Sequence, residues 1–248
     1  KSFNQDLNNW DTSNVTTLYG TFALSNYNQS LVGWDTANVT TLSYVFYNNP
    51  KFDADISTWN TANVTDMSSA FLKASSFNHD ISQWDTSKVT NLRAAFESAT
   101  AFNQDIGQWD ISKVTSLTGI FYGAKSFNRD ISNWNTGHIE SFSNMFKKSG
   151  AFNQDISNWD TGSAFNLRGM FQESAAFNQD ISRWNVSKVE IVSNMFLHAS
   201  AFKQDLSTME FPLVDENDTS SYTHFNWLSG MTLEQTPKVP SVLTDSFQ

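Results

Sequence analysis

Cysteine is absent from all 248 residues, which removes disulfides, thiol nucleophiles and cysteine metal sites together. That absence leaves the compartment open, since an extracellular bacterial protein can do without disulfides. Basic residues are in short supply: 15 Lys and Arg stand against 25 Asp and Glu, for a formal net charge of −10 and a pI near 4.7. Nucleic acid and anionic membrane surfaces call for basic patches, so neither is expected as a partner. No apolar run reaches the roughly 18 residues of a spanning helix, and no membrane insertion is expected. No signal peptide is visible either. The GxSxG, phosphate-loop and HExxH spacings are missing as well. A non-enzymatic protein without cofactors is expected.

What the chain does have is aromatic residues, 15% of the total with 21 Phe and nine Trp, and a repeated phrase. A tetrad resembling FNQD begins at Phe3, Tyr27, Phe52, Phe77, Phe102, Phe127, Phe152, Phe177 and Phe202. A tryptophan follows each at a fixed distance, from Trp10 and Trp34 through to Trp184, with Met209 in the last place. The spacing is 24 residues once and 25 thereafter. Self-similarity at such a period marks a stacked repeat architecture.

Within one unit, Val89, Leu92, Ala95, Phe96 and Ala99 fall at helical spacing, which predicts a helix of two to three turns capped by Thr86 and Ser87. The Phe102–Gly107 stretch predicts a short strand anchored by Phe102 and Ile106, stacked in parallel on its neighbours about 4.8 Å away. The expected fold is therefore α/β: a leucine-rich-repeat-like solenoid of about eight to nine 25-residue helix-strand repeats with a parallel sheet. It spans residues 1–207, with a C-terminal cap and tail over 208–248. Equivalent side chains should form columns, Phe96 over Phe71 and Phe121, Trp109 over Trp84 and Trp134.

Several polar residues form columns too. The asparagines (Asn4, Asn28, Asn78, Asn103 and their successors) suit stacked amides bonding each other and exposed backbone. The aspartates (Asp6, Asp55, Asp80, Asp105 and successors) are expected to accept N–H or hydroxyl bonds. A row of calcium ions is the functional alternative, without the glycine-rich loop spacing that usually accompanies it. The threonines (Thr12, Thr36, Thr61, Thr86, Thr136, Thr161) suit helix caps, and an ice-binding hydroxyl plane is a minor alternative. His79, His138, His198 and His224 fall at different phases and should share no site.

The phases that vary between copies mark the solvent side. The third tetrad position includes Gln104, Arg129, Gln154 and Gln179; the position before tryptophan includes Gln108, Asn133, Asn158 and Arg183. These eight form the candidate ligand face, fitted to glycan or extended polypeptide by many weak hydrogen bonds, or else a solvated face with no ligand. Sequons such as Asn38-Val-Thr and Asn63-Val-Thr arise from the repeat itself.

The string V-T-x-(M/L)-x-x-(M/A)-F-x-x-(A/S)-x-x-F-N-x-D-(I/L)-S-x-W-(D/N)-T, with copies at 63–84 and 188–207, resembles the 25-residue surface-protein repeat of mycoplasmas, lactic bacteria and some microbial eukaryotes. That repeat resembles, in turn, the BspA-like leucine-rich repeats. Single positions depart from it: Ser30 for Asp, Ala164 for Val, Ile111 and Val186 for Thr. The resemblance implies an extracellular or cell-surface adhesion and recognition module binding protein or glycan. A structural subunit of a filament, coat or larger assembly is the alternative. At the N-terminal edge, Phe3, Leu7, Trp10, Val15, Leu18 and Phe22 form a complete rung with nothing to cover it, so preceding repeats, a cap or a neighbouring subunit is expected there.

Overall fold

The computed structural model describes residues 3–214 together with Gln235 and Pro237. Each 25-residue unit forms one coil, and each coil lies on the next. The coil from Asp85 to Trp109 shows how. Asp85 Oδ1 accepts the Ser87 N–H at 2.9 Å, and Val89 N–H closes a turn onto Thr86 O at 2.9 Å. Thr90 then donates its N–H to Thr65 O of the preceding coil, also at 2.9 Å. Asn91 forms a single parallel bridge with Asp66. A run of turns over 92–99 follows, then the extended tetrad, then a turn closed by Trp109 N–H on Ile106 O at 3.1 Å.

The expected α/β helix-strand solenoid of leucine-rich-repeat type is not what forms. Among the described residues there is no α-helix, and parallel pairing is limited to isolated bridges at one position per coil, such as Thr41↔Asp66 and Ser141↔Asn166. The backbone of the expected helix explains the difference. Ala95, Glu97 and Ala99 donate to Leu92, Ala94 and Phe96, three overlapping turns each closed at 3.1 Å. The alternate N–H groups point outward along the stack, from Ala94 to Thr118 O, Phe96 to Ile120 O and Ser98 to Tyr122 O. An α-helix would keep all of these bonds inside one segment. Here half of them join neighbouring coils.

The first and last of these turns carry a left-handed residue at their third position. Ala94 and Ser98 have φ of 53° and 57°. The same two phases are left-handed in the other coils, at Gly20 and Leu24, Tyr44 and Asn48, Gly119 and Gly123, Asn144 and Lys148. For residues other than Gly this conformation costs roughly 1–2 kcal/mol each. It persists because a turn bond and an inter-coil bond hold such residues from both sides, as at Ala94, Lys73 and Lys148.

The expected strand at the tetrad makes no backbone ladder. Its work is done by side chains. Asn78 Oδ1 accepts Asn103 N–H at 2.8 Å, Asn103 Oδ1 accepts Asn128 N–H at 3.0 Å, and Asn128 Oδ1 accepts Asn153 N–H at 2.9 Å. Asp53 takes the same place in its coil, accepting Asn78 N–H at 3.0 Å.

Inside the stack, aromatic rings lie in register. Phe96 sits 5.3 Å from Phe71 and 5.9 Å from Phe121. The tetrad phenylalanines from Phe52 to Phe202 repeat at 5.8 to 6.1 Å. Trp84 and Trp109 are 6.4 Å apart and nearly parallel at 5°. From Trp34 to Trp184 each indole N–H reaches back to the preceding coil, Trp109 Nε1 to Ile81 O at 3.2 Å and Trp134 Nε1 to Ile106 O at 3.0 Å. Flat rings of one size fill the space between coils at every level, and the polar tip of the indole is satisfied as burial requires.

Of the expected C-terminal cap, Phe211 and Val214 are buried against the last coil. Gln235 O accepts Leu206 N–H at 2.9 Å, and its amide donates to Lys203 O at 3.1 Å. Tyr222, Phe225, Trp227, Leu228 and the rest of the tail lie outside the described residues.

Candidate functional site

The eight residues of the candidate ligand face divide into two sets. Gln104, Gln154 and Gln179 are turned back onto the stack. Each amide donates to both the carbonyl and the Oδ1 of an asparagine in the preceding coil, as Gln154 does to Asn128 at 3.1 and 2.9 Å. Arg129 Nε donates to Asn103 O at 2.7 Å. These four side chains hold coils together; the three glutamine amides are engaged, whereas Arg129 stays exposed and commits its Nε. Gln108, Asn133, Asn158 and Arg183 are exposed beside the buried tryptophans, and this second row, with the Arg129 guanidinium, offers open polar groups.

The aspartate column is likewise turned inward to its own backbone. Asp105 Oδ1 accepts Gly107 N–H, and Asp130 and Asp155 accept the N–H of Ser132 and Ser157. Serine hydroxyl and N–H bonds hold Asp205, and likewise Asp85 and Asp110 in the separate column that follows tryptophan, below the usual carboxylate range. At Asp55, Asp130, Asp155 and Asp180 the serine N–H leads the same effect. These bonds favour the charged form. Among the described residues no group of three or more acidic or histidine side chains is placed to hold a metal ion.

The threonine column is buried. Thr36, Thr61 and Thr136 donate their hydroxyls to Asn60, Asp85 and Asp160 carbonyls of the following coil at 3.0, 3.1 and 2.9 Å. They cap no helix, and they present no hydroxyl plane to solvent. The sequon asparagines are also engaged: Asn38 and Asn63 donate their amides to Ser13 and Ala37 carbonyls at 2.8 Å.

The surface that the sequence reading missed lies on the run of turns. Two columns there change character from coil to coil. One reads Ala23, Tyr47, Leu72, Glu97, Tyr122, Lys147, Gln172, Leu197; the other reads Leu24, Asn48, Lys73, Ser98, Gly123, Lys148, Glu173, His198. At its N-terminal end Tyr19 lies 5.7 Å from Tyr44, which lies 5.6 Å from Tyr47, both pairs edge-to-face. Tyr19 and Leu24 are 65% and 71% exposed. The signal was available: within the stretch taken for a helix, these phases match least between copies.

A backbone that gives half of its turn hydrogen bonds to its neighbours, around continuous aromatic columns, defines a repeat protein built by stacking near-identical coils. The chain belongs to the family described as Mycoplasma protein of unknown function, DUF285, whose model matches residues 1–61, 16–134 and 116–226. Comparison with characterised proteins and with solved structures returns no match.

Proposed function

We propose that this chain is a non-enzymatic recognition module of an extracellular or cell-surface protein, binding protein or glycan through the outside of the coil stack in an adhesive role. The observation that supports this reading is a division of labour within the repeat. The inward columns are nearly the same residue in every coil, while the turn-face columns change identity at each level. A uniform scaffold that presents a non-uniform strip is the arrangement used where loops or rims read a ligand and the frame holds them. A kinship with the BspA-like surface repeats belongs to this proposal and rests on residue pattern alone, since the coil has neither the helix nor the strand of a leucine-rich repeat. The test is a pull-down against matrix proteins together with a glycan array. Silence on both at micromolar concentration overturns the reading.

A further inference from the structure

We propose that the turn face binds a linear acidic polysaccharide lying along the stack, an inference that rests on the recognition reading and names its ligand class. The protein as a whole is acidic, yet this strip is not. Lys73 and Arg93 face Glu97; further along, Lys147, Lys148 and Arg168 surround the single acid Glu173. Asp66, Glu140 and Glu190 lie at its edge, so the excess of cations is on the turns themselves, five against Glu97 and Glu173.

Backbone bonds fix these cations side by side. Asn144 N–H donates to Arg168 O at 2.7 Å and Lys148 N–H to Gln172 O at 2.8 Å, which places Lys148 and Arg168 on adjoining coils of one face. Gly123 N–H donates to Lys147 O at 2.7 Å, and Lys147 Nζ lies 5.5 Å from the centre of the Tyr122 ring. Lys148 reaches Glu173 at 3.6 Å. One carboxylate cannot neutralise three cations. Burial chiefly, and then the repulsion of Lys148 and Arg168, push the Lys147 ammonium below its ordinary value despite Glu173. An added anion would relieve that repulsion.

The shape of the strip decides among polyanions. Its cations fall in two groups, Lys73 with Arg93 and Lys147 and Lys148 with Arg168, each on adjoining coils roughly 5 Å apart and separated by the uncharged coil of Thr118, Tyr122 and Gly123, so the positive segments run along the stack and are narrow. The exposed aspartate columns elsewhere on each coil repel anything broad, such as a duplex or an anionic lipid surface. A single-stranded nucleic acid needs open ring faces for its bases beside its phosphates, and Lys147 already covers Tyr122, the ring next to the cations. A thin sugar chain carrying carboxylate or sulfate groups fits. Tyr19, Tyr44 and Tyr47 extend the same face with apolar bodies and polar tips, suited to sugar rings where the charge ends.

The experiment uses the whole chain with heparin as the sulfate-bearing probe, polygalacturonate as the carboxylate-bearing one, dextran as the neutral control and a single-stranded DNA of matched charge as competitor. We expect salt-sensitive binding to heparin or polygalacturonate, which of the two responds identifying the acid group. The double substitution K147Q/R168Q should weaken binding at least tenfold. K113Q/K188Q makes the same charge change at exposed lysines on another column and should stay within about twofold. Circular dichroism confirms that both doubles fold as the parent does. Equal losses from the two doubles, equal affinity for the DNA, or no binding to either acidic chain would overturn the inference. Binding to neutral glycans or matrix proteins with none to the acidic chains would overturn it while leaving the recognition reading intact.

Discussion

Gly119→Ala separates turns from a helix by the sign of its effect. Gly119 has φ of +64°, and a Cβ built there would meet nothing nearer than Glu97 Oε2 at 3.9 Å. Sterics therefore drop out and only backbone energetics remain. Forcing alanine into the left-handed region costs roughly 1–2 kcal/mol. Restricting the unfolded chain returns about 0.4–1 kcal/mol. The balance is a loss of about 0.5–1 kcal/mol. In a helix the same change would gain about 0.8–1 kcal/mol. Gly150→Ala supplies the internal control, because Gly150 has no positive φ and open space around it; it should gain about 0.4–1 kcal/mol. Gly119→Asn should sit near neutral, since Asn144 and Asn194 occupy the same phase at φ of 54° and 61°. Urea titration followed by tryptophan fluorescence reads the midpoint shift, and an unchanged slope shows that the same surface is exposed. If Gly119→Ala stabilises the protein as much as Gly150→Ala does, the turn description is wrong.

Trp109→Ala removes a ring that is 4% exposed, its stack on Trp84 and its bond to Ile81 O, and should cost roughly 3–5 kcal/mol. Gln108→Ala, at the exposed neighbour, should change stability by less than about 0.5 kcal/mol; equal effects in urea titrations would contradict the packing. Thermal melts across pH test the aspartate turns. The carboxyls of Asp55, Asp85, Asp110, Asp130, Asp155, Asp180 and Asp205 titrate below the unfolded value near 3.9, so their stabilisation is complete above that pH and is lost as pH falls through the folded values. A midpoint that is flat from about pH 5 to 7 and drops below about pH 4 is expected, and Asp130→Asn should make the drop shallower. A melt insensitive to acid would mean that the serine donors in these turns contribute nothing.

The period and the buried columns were legible because Phe, Trp and Ile recur at fixed distances and burial tolerates little else. The local backbone was misread. Val89, Leu92, Ala95, Phe96 and Ala99 fit a helical stripe, but overlapping turns bring the same positions inward. The contrary signal was in the chain: Gly20, Gly119, Gly123, Gly169, Asn48, Asn144 and Asn194 recur at two phases four residues apart, and a helix interior favours neither residue. The ligand face was half legible. Exposure of Gln108, Asn133, Asn158 and Arg183 follows from their place beside tryptophan. The engagement of Gln104, Gln154 and Gln179 does not, because one copy of the repeat cannot show that an asparagine of the preceding coil lies within reach of their amides. Arg129 is a case of the same kind, its guanidinium taking the amide's place.

Within the stack, the bonds that hold a coil either close within it or run to the coil just before it or just after it. A block of 25 residues taken from the middle, such as 101–125, therefore carries its partners away with it and leaves two matching ends behind. Recombination between copies can insert or drop such blocks without any new turn, core or pairing having to arise. Each event moves the far end by about 5 Å. Reach becomes a quantity that a lineage can adjust in small equal steps, while the exposed strip on the retained coils stays as it was.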